Sequence, residues 1–255
     1  MSKRPLILVT NDDGITAPGI RKLIQLMNSI GDVVVAAPDS PQSGMGHAIT
    51  VDATLTFNKV KIDDGPQTEY QCSGTPADCV KMAVRLALDR KPDLCVSGVN
   101  HGSNSSVNVI YSGTMSAAVE AGVEGIPAIG FSLCDYSLDA NFEHLEEEIL
   151  SITKNVLENG IPEGVVLNVN FPKTENKFKG IKICRQAKGN WEETFDKRES
   201  PTGKEYYWLS GKFVNHDKGE DTDEWALEND YVSIVPVQYD LTAYHAIQNL
   251  NSWDL

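Results

Sequence analysis

Leu6-Ile7-Leu8-Val9-Thr10, followed at once by Asn11-Asp12-Asp13-Gly14, is the stretch whose reading decides the fold. A run this short and apolar, starting after Pro5, reads as a buried strand of a parallel sheet. In an open α/β sheet the carboxyl end of such a strand opens into the crevice where ligands bind, which puts Asp12 and Asp13 at the mouth of a site. At about 4 Å and an effective dielectric near ~20, two carboxylates repel by roughly 4 kcal/mol. Such a pair either shares a proton or holds a cation. The competing reading, that one Asp caps the next helix, is weakened because Thr16, Pro18 and the apolar series Ile20, Leu23, Ile24, Met27 and Ile30 already supply a cap, a first-turn proline and a buried face. Both acids are left free for chemistry.

The 255 residues, 41% of them hydrophobic, are enough for a sizeable core. A net charge of -14 argues against a partner that is a nucleic-acid polymer, which requires Lys and Arg to neutralise phosphates. Cys72, Cys79, Cys95, Cys134 and Cys184 are odd in number and lack a Cys-x-x-Cys pair, so most read as small core residues and the set as neither a disulfide framework nor a zinc cluster. No apolar run has membrane-spanning length, and Ser2-Lys3-Arg4 leads into a strand without a cleavable leader; the expectation is a cytoplasmic protein with no membrane partner.

Along the chain, Gly31 stops the first helix and Asp32 to Ala37 forms a second strand, completing a βαβ unit. Neither G-x-G-x-x-G nor a P-loop is present. The loop from Pro38 to His47 follows instead, with Ser43 and two glycines suited to close backbone approach. Ile49 to Val51, Leu55 to Ile62 and Thr68 to Cys72 alternate like strands and are expected to extend the sheet antiparallel. Thr75-Pro76-Ala77-Asp78 opens a helix running to about Leu88. Leu94 to Ser97 is a third buried strand, delivering Gly98-Val99-Asn100-His101-Gly102-Ser103-Asn104 to the same edge. Tyr111-Ser112-Gly113-Thr114 then starts a small-residue helix whose unpaired N–H groups would favour a phosphate. Further strands are expected at 128–132, 165–171, 181–184 and 231–237, and a long helix from Phe142 to Gly160. Residues 189–218 read as a projecting aromatic arm, a common mark of a subunit contact. The acidic turn at 219–224 reads as a helix start, and a last helix carries Tyr244 and His245. The expected organisation is a Rossmann-like three-layer α/β/α core with a mostly parallel sheet over residues 1–185, and a β-hairpin arm with a C-terminal oligomerisation segment over 186–255, within a single domain.

Asp12, Asp13, Ser43 and Asn100 offer only hard oxygen ligands, which suit Mg²⁺, Mn²⁺ or Ca²⁺ and disfavour zinc. Asn11-Asp12-Asp13-Gly14, Ala37-Pro38-Asp39 with Ser43-Gly44, Ser97-Gly98-Val99-Asn100 and Tyr111-Ser112-Gly113-Thr114, in this order, resemble the SurE family of nucleotidases. The resemblance implies a phosphatase that hydrolyses nucleoside 5'-monophosphates, with 3'-nucleotides and short polyphosphate as further substrates in some members. It implies one divalent ion per subunit, Mg²⁺ or Mn²⁺ ahead of Ca²⁺, on Asp12, Asp13, Ser43 and Asn100. Asn11, Gly44, Asn104, Ser112, Gly113 and Thr114 would lie at the phosphate or substrate, Asp12 and Asp13 would carry catalysis, and the chain would form a homodimer or homotetramer. Ser103 to Asn108 departs from the family, many of whose members have Gly-Pro-Asn and another glycine there. His47, His101 and His245 are candidates for proton delivery. The rival readings are a receiver-type Mg²⁺-binding domain, which needs an Asp where Ser97 to Asn100 stand, and a nucleotide- or sugar-binding module without turnover.

Overall fold

The computed structural model describes residues 4–137, 139–174 and 176–254; the start at Ser2-Lys3 lies outside them. In chain order the elements are β1 (Leu6–Thr10), α1 (Pro18–Ile30), β2 (Asp32–Pro38), β3 (Phe57–Val60), β4 (Thr68–Cys72), α2 (Pro76–Met82), β5 (Leu94–His101), α3 (Gly113–Val123), β6 (Ala128–Leu133), α4 (Glu146–Asn159), β7 (Val165–Phe171), β8 (Ile181–Ile183), β9 (Gly189–Glu199), β10 (Glu205–Asn215), α5 (Asp223–Glu228), β11 (Val232–Gln238) and α6 (Tyr244–Leu250). Nine strands form one sheet in the order β3-β4-β2-β1-β5-β6-β7-β11-β8. Within it β3 runs antiparallel to β4 and β11 antiparallel to β7, while the other neighbours are parallel.

The two faces of the sheet sort by the period-2 alternation of its strands. Ile7 and Val9 of β1 join Ile20, Leu23 and Met27 of α1 and Ile149 and Ile152 of α4 in one buried cluster. Leu8 points the other way, to Cys79 and Val80 of α2 and Met115, Ala118 and Ala121 of α3. The expected three-layer α/β/α core is therefore present. Gly130 of β6 leaves room for the Met115 side chain of α3, whose Sδ would sit 2.4 Å from a Cβ there.

Several local expectations change. Thr16 does not cap α1: the N-cap is Ala17, without a side-chain bond, and Pro18 supplies the start. The α2 start is as read, with Thr75 and Asp78 forming a reciprocal capping box. Ile49 to Val51 is not a strand, because the Thr50 N–H and hydroxyl go to the Asp78 carboxylate at 3.1 and 2.7 Å and not to a neighbouring strand. The sheet extension is antiparallel only between β3 and β4, since β4 itself lies parallel to β2. β11, the strand expected at 231–237 beyond the 1–185 core, is inserted between β7 and β8 and so belongs to the core sheet. The arm is the separate β9–β10 hairpin, in register from Gly189 opposite Asn215 to Glu199 opposite Glu205.

Candidate active site

The site is assembled where β1, β2 and β5 end. Asp12 is buried, and its Oδ1 accepts a hydrogen bond from the Thr114 hydroxyl at 2.5 Å. The start of α3 can approach this closely because residue 113 is glycine: a Cβ there would lie 2.6 Å from Asp12 Cβ and 2.8 Å from its Oδ2. Burial pushes the Asp12 carboxyl up to about 6; the Thr114 hydroxyl and N–H oppose this and the charge of Asp13 adds to it. Asp13 is half-buried, and its carboxyl is raised by burial against the pull of His101, whose N–H donates to Asp13 Oδ2 at 3.1 Å.

Backbone bonds draw the other loops to this pair. Gln42 N–H donates to the Asp12 carbonyl at 2.8 Å, and Gly46 N–H donates to the Tyr111 carbonyl at 3.1 Å. Ser43, exposed, stands directly after Gln42, and Gly44, at φ +76°, faces open space. On β5 the register shifts between Ser97 and Asn100. Gly98 permits that bulge, with φ +125° and a position where a Cβ would meet Phe131 O at 2.3 Å. Asn100 beyond it is buried and donates its side-chain N–H to Gly102 O at 2.8 Å.

The residues expected at the phosphate divide. Ser112 caps α3, its hydroxyl accepting from Met115 N–H at 3.0 Å. Thr114 serves Asp12, so its hydroxyl is engaged within the protein. Asn104 is buried, with its side-chain nitrogen on Ser132 Oγ, its N–H on Asn170 Oδ1 and its carbonyl accepting from Asn168, each at 2.8 Å. Asn11 donates to Gly14 O at 2.9 Å, while its Oδ1 is buried without a partner, as are Thr10 Oγ1 and Ser97 Oγ on the paired ends of β1 and β5. Of the three histidines only His101 touches the carboxylate pair. His47 is 2.8 Å from Glu120, about two turns into α3, and His245 lies on α6, which buries no residue. Sequence reasoning missed Asn168 and Asn170, whose signal was two polar residues in alternation on an otherwise apolar strand.

Among the described residues no group of three or more His, Cys, Asp or Glu could hold a metal. A cation here would depend on the mixed oxygen set of two carboxylates, a hydroxyl and an amide. The unpartnered Asn11 oxygen and a buried carboxyl pushed toward its neutral form both fit a positive charge at this place.

The sequence matches the family model described as Survival protein SurE over residues 7–193. The chain belongs to the SurE family. A SurE relative from Flavobacterium psychrophilum, named 5'-nucleotidase SurE, is 70% identical over 256 residues, covering 100% of this chain and 99% of that one. Another from Bacteroides fragilis, with the same name, is 49% identical, covering 100% of this chain and 99% of its own. The crystal structure of SurE protein from Aquifex aeolicus is similar with a TM-score of 0.83 and 40% identity, covering 97% of this chain and 98% of that one. With Ser97 to Asn100 where a receiver domain would need its acceptor Asp, the signalling alternative is not favoured.

Proposed function

We propose that the chain is a 5'-nucleotidase, a divalent-metal-dependent phosphatase that hydrolyses nucleoside 5'-monophosphates to nucleoside and phosphate. One observation carries the site assignment: Asp12 and Asp13 are held at once by the loop after β2, the end of β5 and the start of α3, through Gln42 at 2.8 Å, His101 at 3.1 Å and Thr114 at 2.5 Å. The names borne by relatives as similar as 70% support the activity.

In this reading Asp12, Asp13, Ser43 and Asn100 hold one cation, with Mg²⁺ and Mn²⁺ preferred for a small oxygen set and Ca²⁺ third. A bound cation of this kind supplies Lewis-acid polarisation of a phosphate oxygen and an acidified water. The protein does the positioning. Thr114 and His101 each fix one carboxylate, and Gly44 and Gly113 leave backbone free to approach a phosphate without side-chain interference. Ser112 and Asn11 frame that approach, and Asn104 sets the loop between Asn100 and Ser112. His101 meets Asp13 through its backbone N–H while its ring Nε2 bonds the Ser137 carbonyl, and His47 is engaged by Glu120, so neither imidazole is assigned the proton transfer.

Homodimers or homotetramers belong to the same reading, supported by the exposed Phe195, Tyr207, Trp208 and Leu209 on the hairpin. So does a cytoplasmic location; no described helix is long and apolar enough to cross a membrane. The test is phosphate release from a panel of nucleoside 5'-monophosphates with Mn²⁺ or Mg²⁺, with and without chelator. Release that stops on chelation and returns with metal is expected; no release from any member, or release indifferent to chelator, overturns the proposal.

A further inference from the structure

Residues 102–111, between Asn100 and Ser112, form the lip of the candidate site and are held by several distant segments, among them Tyr136 on Ser103, Glu224 on Ser105 and Trp191 on Asn108; two further holds matter most here. The first is Asn104, anchored on the sheet through Ser132, Asn168 and Asn170. The second is Ser106, fully buried and the start of a 3-10 turn over Ser106–Ile110. Ser106 has φ +52°, in the left-handed region that only glycine enters freely. Something must hold it there.

The hold comes from the far end of the chain. Ser106 N–H donates to Asp223 Oδ2 at 2.8 Å, Ala187 N–H donates to Asp223 Oδ1 at 2.8 Å, and the Ser106 hydroxyl donates to the Ala187 carbonyl at 2.9 Å. These three bonds close a ring through Ser106, Asp223 and Ala187. Asp223 is itself buried, takes a third N–H from Glu224 at 2.9 Å, and gives its own N–H to Arg185 O at 3.0 Å, so the carboxylate cannot swing. Beyond the 3-10 turn, the Tyr111 carbonyl holds Gly46 of the Ser43 loop, and Ser112 begins α3.

We infer that Asp223 is a positioning residue for the reaction, fixing Ser106 in its left-handed conformation and thereby the loop that joins Asn100 to the start of α3. It touches neither substrate nor the carboxylate pair and acts through Ser106. The inference deepens the nucleotidase reading and its kinetic test rests on it.

The test uses the full-length chain with Mn²⁺ and a nucleoside 5'-monophosphate. Asp223→Ala is expected to lower kcat/KM at least tenfold, chiefly through KM. Ser106→Gly alone should stay within about threefold of wild type, because glycine needs no hold at this φ. Combined with Asp223→Ala it should recover at least threefold of the loss, a rescue that a purely structural Asp223 would not give. Should Asp223→Ala fail to fold, Asp223→Asn and Ser106→Val carry the test, both raising KM. Amide exchange across residues 102–111 reads the same hold without substrate: faster at least tenfold in Asp223→Ala than in wild type. Folded Asp223 and Ser106→Val variants with wild-type KM and wild-type exchange, or an absent rescue, overturn the inference. A wild-type protein that releases no phosphate overturns the nucleotidase reading instead, and the exchange measurement still decides the role of Asp223.

Discussion

The hydroxyl of Thr114, first turn of α3, donates to Asp12 Oδ1 at the end of β1, 2.5 Å away and 102 residues distant in sequence. A charge-assisted bond of this length orients the carboxylate as well as stabilising it. Thr114→Val keeps the shape and removes the donor. We predict a loss of about 1–2 kcal/mol in stability and at least a tenfold fall in phosphate release, with Thr114→Ser close to wild type. Equal activity of the Val and Ser variants would separate Thr114 from Asp12.

Asp12→Asn is expected to cut metal-dependent phosphate release by a factor of about 10² or more while leaving the metal-free protein as stable as wild type or more so. The sign follows from burial, which raises the Asp12 carboxyl from 3.8 to about 6, so its ionisation destabilises the fold progressively as pH rises between those values and fully above about 6. Thermal unfolding in chelator at pH 5 and pH 8 checks this. The variant should gain on wild type at pH 8, and a variant that loses ground there contradicts it.

Gly113→Ala places a methyl where Asp12 already stands, 2.6 Å from its Cβ. Backbone or carboxylate must move, at a cost of about 1–3 kcal/mol. Phosphate release is expected to fall at least tenfold, and a crystal structure of the variant should show α3 displaced from Asp12. Unchanged activity would mean that this close approach is dispensable.

Glu120 is buried on α3, and although burial opposes its ionisation, His47 at 2.8 Å and Lys81 at 2.6 Å more than offset this and hold its carboxyl below the usual range. A depressed acid stabilises the fold above its unfolded value near 4.5 and loses that contribution as pH falls through the folded value. Glu120→Gln should therefore cost about 1–2 kcal/mol at pH 7 and progressively less below about pH 4.5. Urea unfolding at both ends of that range measures it; a gap as wide in acid as at neutrality refutes the pairing.

Much of the site was legible because its residues sit where strands end. The abrupt change from Thr10 to Asp12 and the Ser-Gly-Thr at the start of α3 mark their positions without any tertiary knowledge. What stayed hidden depends on contacts between distant segments. Nothing local says that the Thr114 hydroxyl turns to Asp12 and not to a phosphate, or that Thr50 gives its N–H to Asp78 in place of a strand partner. Asp223 was concealed by its ordinariness, since an acid in the first turn of a helix already has a reason to be there. The direction of β4 was also beyond local reading, because alternation reports which face is buried and not which way the neighbour runs.

The insertion of β11 between β7 and β8 has a consequence for synthesis on the ribosome. β8 has no neighbour until residues 232–238 have emerged, and the ring that fixes Ser106 cannot close before Asp223 has done so. A nascent chain halted at residue 215 would carry Asp12, Asp13, Ser43 and Asn100 with Asn104 anchored but Ser106 without Asp223. If Asp223 positions Ser106 as inferred, competence is a late event in the life of each molecule, withheld until nearly all of it has been made.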